Sequence, residues 1–171
     1  FLVNCVPDVL AAGFPPSHPA IHHVVINSVQ ARDLASRNGL TARVIPNVME
    51  FEVPPGPPAI PVAEIRADLG IAPGDLLVLQ PTRVIPRKGI EHAIEFTRRL
   101  GRPASLVVSH ASGDEGPEYE QRVREYALLL GVDVRFEAEV IGDHQGTTAD
   151  GRRIHTLADV YPAADFVTYP S

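Results

Sequence analysis

Short apolar runs alternate with amphipathic segments along most of the chain. Near the start, residues 24–26 (Val-Val-Ile) predict a strand buried on both faces. Ser28 is suited to cap a following helix over residues 29–38, which Gly39 would end. Residues 42–45 predict a second strand. A strand-helix-strand unit of this kind indicates parallel pairing.

The alternation continues after residue 61. The helix predicted at 89–100 places its apolar side chains on one stripe, and the turn residues of 142–153 include Asp150-Gly151, which favours a hairpin. The sequence therefore predicts a Rossmann-like, doubly wound parallel α/β sheet. The remaining elements are strands at 75–79, 105–109, 132–136 and 164–169, and helices at 62–69, 117–130 and 157–162.

A proline-rich segment divides these two regions. Residues 52–61 hold five prolines and a glycine, which excludes a helix or a central strand and predicts a semi-rigid linker. A surface loop within one domain is the alternative. We assign residues 1–51 to the end of one domain and 62–171 to a second domain. About 50 residues are too few for a complete domain, and no helix follows the last predicted strand, so we expect a truncated part of a larger protein.

Composition and charge narrow the class of protein. The chain has 171 residues, 44% hydrophobic and 21% charged, as in a folded domain. A net charge of -6 argues against binding nucleic acid or an anionic membrane. The single cysteine, Cys5, excludes a disulfide framework and a multi-thiolate metal site. No apolar run has the length of a transmembrane segment, and residues 1–6 lack a signal-peptide pattern, so we expect a cytoplasmic location.

Cations cluster at the end of the strand predicted at 75–79. Arg83, Arg87 and Lys88 precede Gly89, which opens a predicted helix. A helix start suits an anion, an arginine adds a bidentate fork, and a lysine adds a point charge. Cations at this end of a helix oppose its dipole, so their presence favours a bound anion. A solvated basic loop is the alternative. The glycine spacing matches neither a phosphate loop of ATPases nor a dinucleotide fingerprint.

Other polar residues give weaker signals. His110 follows the strand predicted at 105–109 and is a candidate pocket residue, with an ordinary polar loop residue as the alternative. No histidine pair with metal-ligand spacing lies on a predicted helix, and we predict no metal site. The acidic residues around position 117 would stabilise the first turns of a helix, and no serine lies in a nucleophile elbow. These acidic residues are Asp114, Glu115, Glu118 and Glu120.

Several segments match one family in order and spacing. Arg83 and Lys88-Gly89 fit an arginine and lysine-glycine pattern, and further matches lie at residues 25–28, 44–48, 134–140, 158–165 and 166–171. Together they resemble the family 4 glycosyltransferases, retaining enzymes of the two-domain GT-B fold. The glycine usual in the 44–48 motif is missing, Ala138 stands where a glycine is usual, and the 142–157 segment is longer than in the family.

The resemblance implies a retaining hexosyltransferase whose donor is a UDP- or GDP-linked sugar and whose acceptor is unknown. Arg83, Lys88 and Gly89 would hold the donor diphosphate and offset its charge as it leaves, without an obligatory metal or other cofactor. Val140 would meet the base through its backbone, and Ser171 would line the pocket. We expect no catalytic residue in this chain, because the acidic motif of the family would follow Ser171. This chain alone would then be inactive.

Two other functions remain open at this point. A Rossmann-like module could bind a nucleotide or phosphate without catalysis. A different GT-B enzyme, such as a sugar-nucleotide epimerase, could use the same loop.

Overall fold

A computed structural model describes residues 17–47, 60–113 and 117–170 of the chain. The chain divides into two compact units, Phe1–Pro54 and Pro55–Ser171. Most of the proline-rich segment lies outside the described residues, so its assignment as a linker stays a prediction. Cys5, Asp114, Glu115 and Ser171 also lie outside them.

The described part of the first unit is a strand-helix-strand motif. Strand β1 (His23–Val25) is followed along the chain by helix α1 (Ser28–Asn38) and strand β2 (Ala42–Val44). The two strands pair in parallel, as predicted. The cap differs from the prediction, because Ser28 is the first helical residue and Asn27 precedes it in extended backbone. The Asn27 side-chain oxygen accepts a hydrogen bond from the backbone N–H of Gln30 at 2.8 Å.

The prediction that the first strand is buried on both faces is wrong for the described part of this unit. Val24 is 54% exposed and Ile26 is 48% exposed. The described residues supply a single helix beside the two strands, and one helix can cover only one face of a sheet.

The second unit is built on a four-stranded parallel sheet. Its strands are β3 (Leu76–Gln80), β4 (Ala104–Val108), β5 (Asp133–Phe136) and β9 (Phe166–Val167). They lie in the order β5-β4-β3-β9, so that β3 is flanked by the next strand along the chain on one side and by the last described strand on the other. This arrangement confirms the predicted parallel α/β fold. The helices of this unit are α2 (Val62–Asp68), α3 (Ile90–Arg99), α4 (Glu118–Leu130) and α5 (Leu157–Val160).

Both faces of the central strands β3 and β4 are buried, as expected for a doubly wound fold. Leu77 and Leu79 of β3 pack in one apolar cluster with Ile65 of α2. Val78, between them, packs in a second cluster with Ile94 of α3. Successive side chains of a strand point to opposite faces, which explains why β3 is apolar from Leu76 to Leu79.

A small three-stranded sheet lies between β5 and β9 in sequence. Its strands β6 (Ile141–Gly142), β7 (Gly146–Thr147) and β8 (Arg153–Thr156) lie in the order β6-β8-β7. β7 and β8 are antiparallel, which confirms the predicted hairpin around Asp150-Gly151. The parallel pairing of β6 with β8 was not predicted, because a two-residue strand carries no periodic signal.

No helix within the described ranges has the length and apolar character needed to cross a membrane.

Candidate functional site

The order of the strands reverses at β3. The chain moves from β3 outward through β4 to β5, and then returns to place β9 on the other side of β3. In open parallel sheets, ligands bind beyond the carboxyl ends of the strands at such a switch point. The segment 81–89 follows β3 and the segment 168–170 follows β9. The two segments meet, because a Cβ added to Gly89 would lie 3.3 Å from the carbonyl oxygen of Pro170.

The loop after β3 is held from within by apolar side chains. Val84 and Ile85 are buried, whereas Arg83 and Arg87 are exposed. A short 3₁₀ helix, Pro86–Lys88, follows and ends at Gly89, whose φ of +54° lies in the left-handed region. Helix α3 begins at the next residue. The loop is therefore anchored by two buried apolar side chains, while its two arginines are exposed to solvent. The backbone conformation at Gly89, where the loop leads into the helix, favours glycine.

The three predicted diphosphate ligands lie together in this loop. Arg83 is exposed, Lys88 is half-buried and Gly89 is buried. Both Arg83 and Arg87 interact with other groups of the chain. Within the described ranges, no carboxylate forms an ion pair with the Lys88 ammonium. A half-buried ammonium in this position can attract an external anion.

At the start of helix α3, backbone N–H groups that the sequence predicted to be available for an anion already have hydrogen-bond partners in the protein. The backbone N–H of Ile90 donates to the hydroxyl of Tyr119 at 3.0 Å, and that hydroxyl donates to the carboxylate of Glu91. Burial, and then the hydrogen bond to Glu91, raise the pKa of Tyr119, so the hydroxyl stays protonated. The N–H of His92 donates to the carbonyl of Gly89. Because the N–H groups of Ile90 and His92 are already hydrogen-bonded, an anion at this position would be attracted mainly by the cationic side chains.

Gln80, the last residue of β3, lies beneath the loop and was missed by the sequence analysis. Its side chain is fully buried. The side-chain nitrogen donates to the carbonyl oxygen of Lys88 at 2.8 Å and to the hydroxyl of Thr82 at 3.2 Å. The available signal was a lone amide at the end of an otherwise apolar strand, since a buried amide needs partners.

His110 lies at the same edge of the sheet, one strand away. Its Nδ1 lies 2.6 Å from the hydroxyl of Ser109, which is buried. The N–H of Ser109 donates to the carbonyl of Gln80 at 3.3 Å, and the N–H of Val84 donates to the carbonyl of Ala111 at 3.4 Å. The loops after β3 and β4 are thus joined, and the exposed His110 ring lies on the joined surface.

Val140 and Ser171 are placed differently. Val140 is buried, its N–H donates to the carbonyl of Glu137, and its carbonyl accepts from the N–H of His155. Both backbone groups therefore already have protein partners, and a contact with a base stays a prediction. Ser171 is outside the described residues. Thr168, three positions earlier, has a buried hydroxyl with no hydrogen-bond partner among the described residues.

Asp165, in one of the segments on which the family resemblance rests, has a structural role. Its carboxylate accepts a hydrogen bond from the backbone N–H of Leu77 at 2.7 Å and one from the guanidinium of Arg66 at 3.1 Å. The Leu77 N–H and the Arg66 guanidinium hold the pKa of Asp165 below its usual range, against the effect of burial. These contacts lie at the amino end of β9, opposite the switch point.

Within the described ranges, no group of three His, Cys, Asp or Glu side chains is placed to hold a metal ion.

Comparison with known proteins gives two relatives with the same name. No family model matches the chain. It is 33% identical over 180 residues to the mannosylglucosylglycerate synthase of Thermotoga maritima, a match that covers 96% of this chain and 40% of the relative. It is 29% identical over 184 residues to the protein of that name from Petrotoga mobilis, covering 97% of this chain and 42% of the relative. The chain thus spans about two fifths of the length of each relative. Similarity to two synthases of a glycosylated compound supports the expectation of a glycosyltransferase at the level of the enzyme class.

Proposed function

We propose that this chain is the donor-binding part of a retaining GT-B glycosyltransferase that uses a nucleoside-diphosphate sugar. The observation that carries the proposal is the position of Arg83 and Lys88 at the switch point of a parallel sheet. Similarity over nearly the whole chain to two proteins named mannosylglucosylglycerate synthase supports it independently.

The proposed role of the loop is electrostatic. Arg83 would hold the diphosphate through its planar fork, and Lys88 would add a point charge. At about 4 Å and an effective dielectric near 20, one such pair is worth roughly 4 kcal/mol before desolvation. Exposure of Arg83 reduces this value. The same charges would stabilise the diphosphate as it leaves the sugar, without an obligatory metal.

The names of the relatives extend the proposal to the substrates. We propose a mannosyl donor, linked to UDP or GDP, and glucosylglycerate as the acceptor. Residues 62–171 would form the donor domain, residues 1–51 would belong to the acceptor domain, and 52–61 would link them. Because the proposal assigns only donor binding to this chain, we expect no product when it is mixed with both substrates.

Calorimetric titration of the chain with UDP and GDP tests the proposal. We expect Arg83→Ala and Lys88→Ala each to weaken binding about tenfold or more, since each removes a charge-assisted hydrogen bond. Arg98→Ala is a matched control, because it removes the same charge from the opposite end of α3, about 15 Å away along a ten-residue helix. We expect the control to bind as the wild type does. Equal affinities for wild type, Arg83→Ala and Lys88→Ala would overturn the proposal.

A further inference from the structure

The amide of Gln80 donates to a residue near each end of the basic loop, which is the segment 81–89 that follows β3. One hydrogen bond goes to the hydroxyl of Thr82, next to Arg83, and the other goes to the carbonyl of Lys88. The Lys88 carbonyl can only accept, so the nitrogen of the amide must face it. The two partners enclose the whole segment that carries Arg83, Arg87 and Lys88. A single buried side chain therefore fixes the spacing between the two ends of the loop.

Packing in the core alone would not require an amide at this position. Gln80 ends an apolar strand and is fully buried, and its oxygen has no partner among the described residues. A buried polar atom without a partner destabilises a fold, and an apolar side chain of similar length would avoid that cost. What glutamine offers in exchange is a pair of hydrogen bonds, shielded from water, to the backbone and hydroxyl beside the two predicted diphosphate ligands.

We infer that Gln80 is a positioning residue for the diphosphate of the donor, acting through Thr82 and Lys88. The inference rests on the proposed function. Gln80 holds the cations at a fixed separation before the ligand arrives, so that binding does not have to order the loop. In this proposal the loop contacts the diphosphate and not the base. Loss of the Gln80 amide therefore weakens binding of inorganic pyrophosphate, UDP and GDP by the same factor.

The test replaces the amide with an apolar side chain of the same length. Gln80→Met removes both donors, and we expect it to raise the Kd for pyrophosphate, UDP and GDP by about 3- to 10-fold. In a Lys88→Ala background, we expect Gln80→Met to raise the Kd by a clearly smaller factor than in the wild-type chain, because one of the two cations that it positions is gone. Thr97→Val is the control for stability. It removes another buried hydrogen bond, 2.8 Å from the Thr97 hydroxyl to the Ala93 carbonyl, at the far end of α3.

The outcomes distinguish failure of the proposed function from failure of the role given to Gln80. If the wild-type chain binds none of the three probes, the proposed function and this inference fail together. If it binds and Lys88→Ala weakens binding, the inference alone fails under either of two results. One is an unchanged Kd for Gln80→Met. The other is an equal loss for Gln80→Met with and without Lys88, since that loss would reflect general destabilisation.

A second variant covers the case in which Gln80→Met does not fold. Thr82→Val keeps the shape of the buried side chain and removes only the hydroxyl that accepts from Gln80. We expect a loss of affinity that disappears in an Arg83→Ala background. A loss that persists in that background would contradict the inference.

Discussion

The guanidinium of Arg66 lies 3.1 Å from the carboxylate of Asp165, ninety-nine positions further along the chain. The same guanidinium donates to the carbonyl of Ala163 at 2.7 Å, and the carboxylate also accepts from the N–H of Leu77 at 2.7 Å. Helix α2, strand β3 and the start of strand β9 are therefore joined at one point. This junction fixes β9 beside β3 and thereby places the segment 168–170 opposite the basic loop.

We expect Asp165→Asn to lower the free energy of unfolding by about 1–2 kcal/mol. The substitution keeps the shape of the side chain but weakens its hydrogen bonds from Leu77 and Arg66. The carboxyl is partly exposed, which limits the effect. Urea denaturation followed by circular dichroism measures it. Asp143→Asn, at an exposed position, is the control, and we expect a change below about 0.5 kcal/mol. Equal effects of the two substitutions would contradict the role given to Asp165.

Stability should fall in acid through two carboxylates. The pKa of Asp165 is lowered by the Leu77 N–H and by Arg66, and burial acts in the opposite direction. Burial also opposes ionisation of Asp159, but hydrogen bonds from Gln145 and Thr156 outweigh it and lower the pKa. A carboxyl with a lowered pKa stabilises the fold above its ordinary value of 3.8 and loses that contribution as the pH falls through its folded pKa.

Urea denaturation at a series of pH values from about 7 to about 2.5 measures this loss. We expect the free energy of unfolding to fall below about pH 4, and to fall less steeply in Asp165→Asn. Identical pH profiles for the wild type and the variant would show that Asp165 does not contribute.

Gly89 lies where the segment 81–89 contacts the segment 168–170, so substitutions of this glycine test how closely it is packed. A Cβ at this position would lie 2.9 Å from the His92 ring and 3.3 Å from the Pro170 carbonyl oxygen. Gly101, at the other end of α3, has a similar φ of +63° but open space around it. Both substitutions to alanine pay the cost of the left-handed backbone, about 1 kcal/mol.

We expect Gly89→Ala to destabilise the chain by about 1 kcal/mol more than Gly101→Ala, because its Cβ is crowded. Only Gly89→Ala should also weaken binding of UDP and GDP. Thermal denaturation and calorimetry provide the two measurements. Equal losses of stability in the two variants would contradict the crowding of Gly89 by His92 and Pro170.

The proposed binding of a diphosphate by Arg83 and Lys88 should depend on salt. We expect the Kd for UDP to rise several-fold between about 0.05 M and 0.5 M sodium chloride, because the Debye length shortens over this range. Arg83→Ala should reduce this dependence, and Arg98→Ala should leave it unchanged. A Kd for UDP that is independent of salt would indicate that the cations do not meet the phosphates.

The sequence was sufficient for the elements with a strong periodic signal. Strand β3 has a continuous apolar run from Leu76 to Leu79. One stripe of α3 is buried, and it consists of Ile90, Ala93, Ile94 and Thr97. Both patterns follow from burial, because the spacing of apolar residues along the sequence reflects which side chains of an element face the core. The basic loop could be located for the same reason, because it joins these two elements.

Features that depend on pairing between distant residues could not be predicted. The sequence does not show that Tyr119 would occupy the N–H of Ile90, or that Gln80 would reach Lys88. The cap of α1 was misplaced by one residue, because Asn27 and Ser28 are both favourable capping residues. Only the extended backbone of Asn27, with φ of -152°, decides between them.

The position of β9 beside β3 has a consequence for folding. Strands β3, β4 and β5 are consecutive and pair with their neighbours, so they can assemble through contacts of short sequence separation. The pairing of Val78 with Phe166 closes a loop of 87 residues between them, and closing such a loop is slow and entropically unfavourable. We therefore expect the basic loop to form early and the segment 168–170 to be added late, so that the proposed nucleotide site would be complete only in the last steps of folding of the described unit.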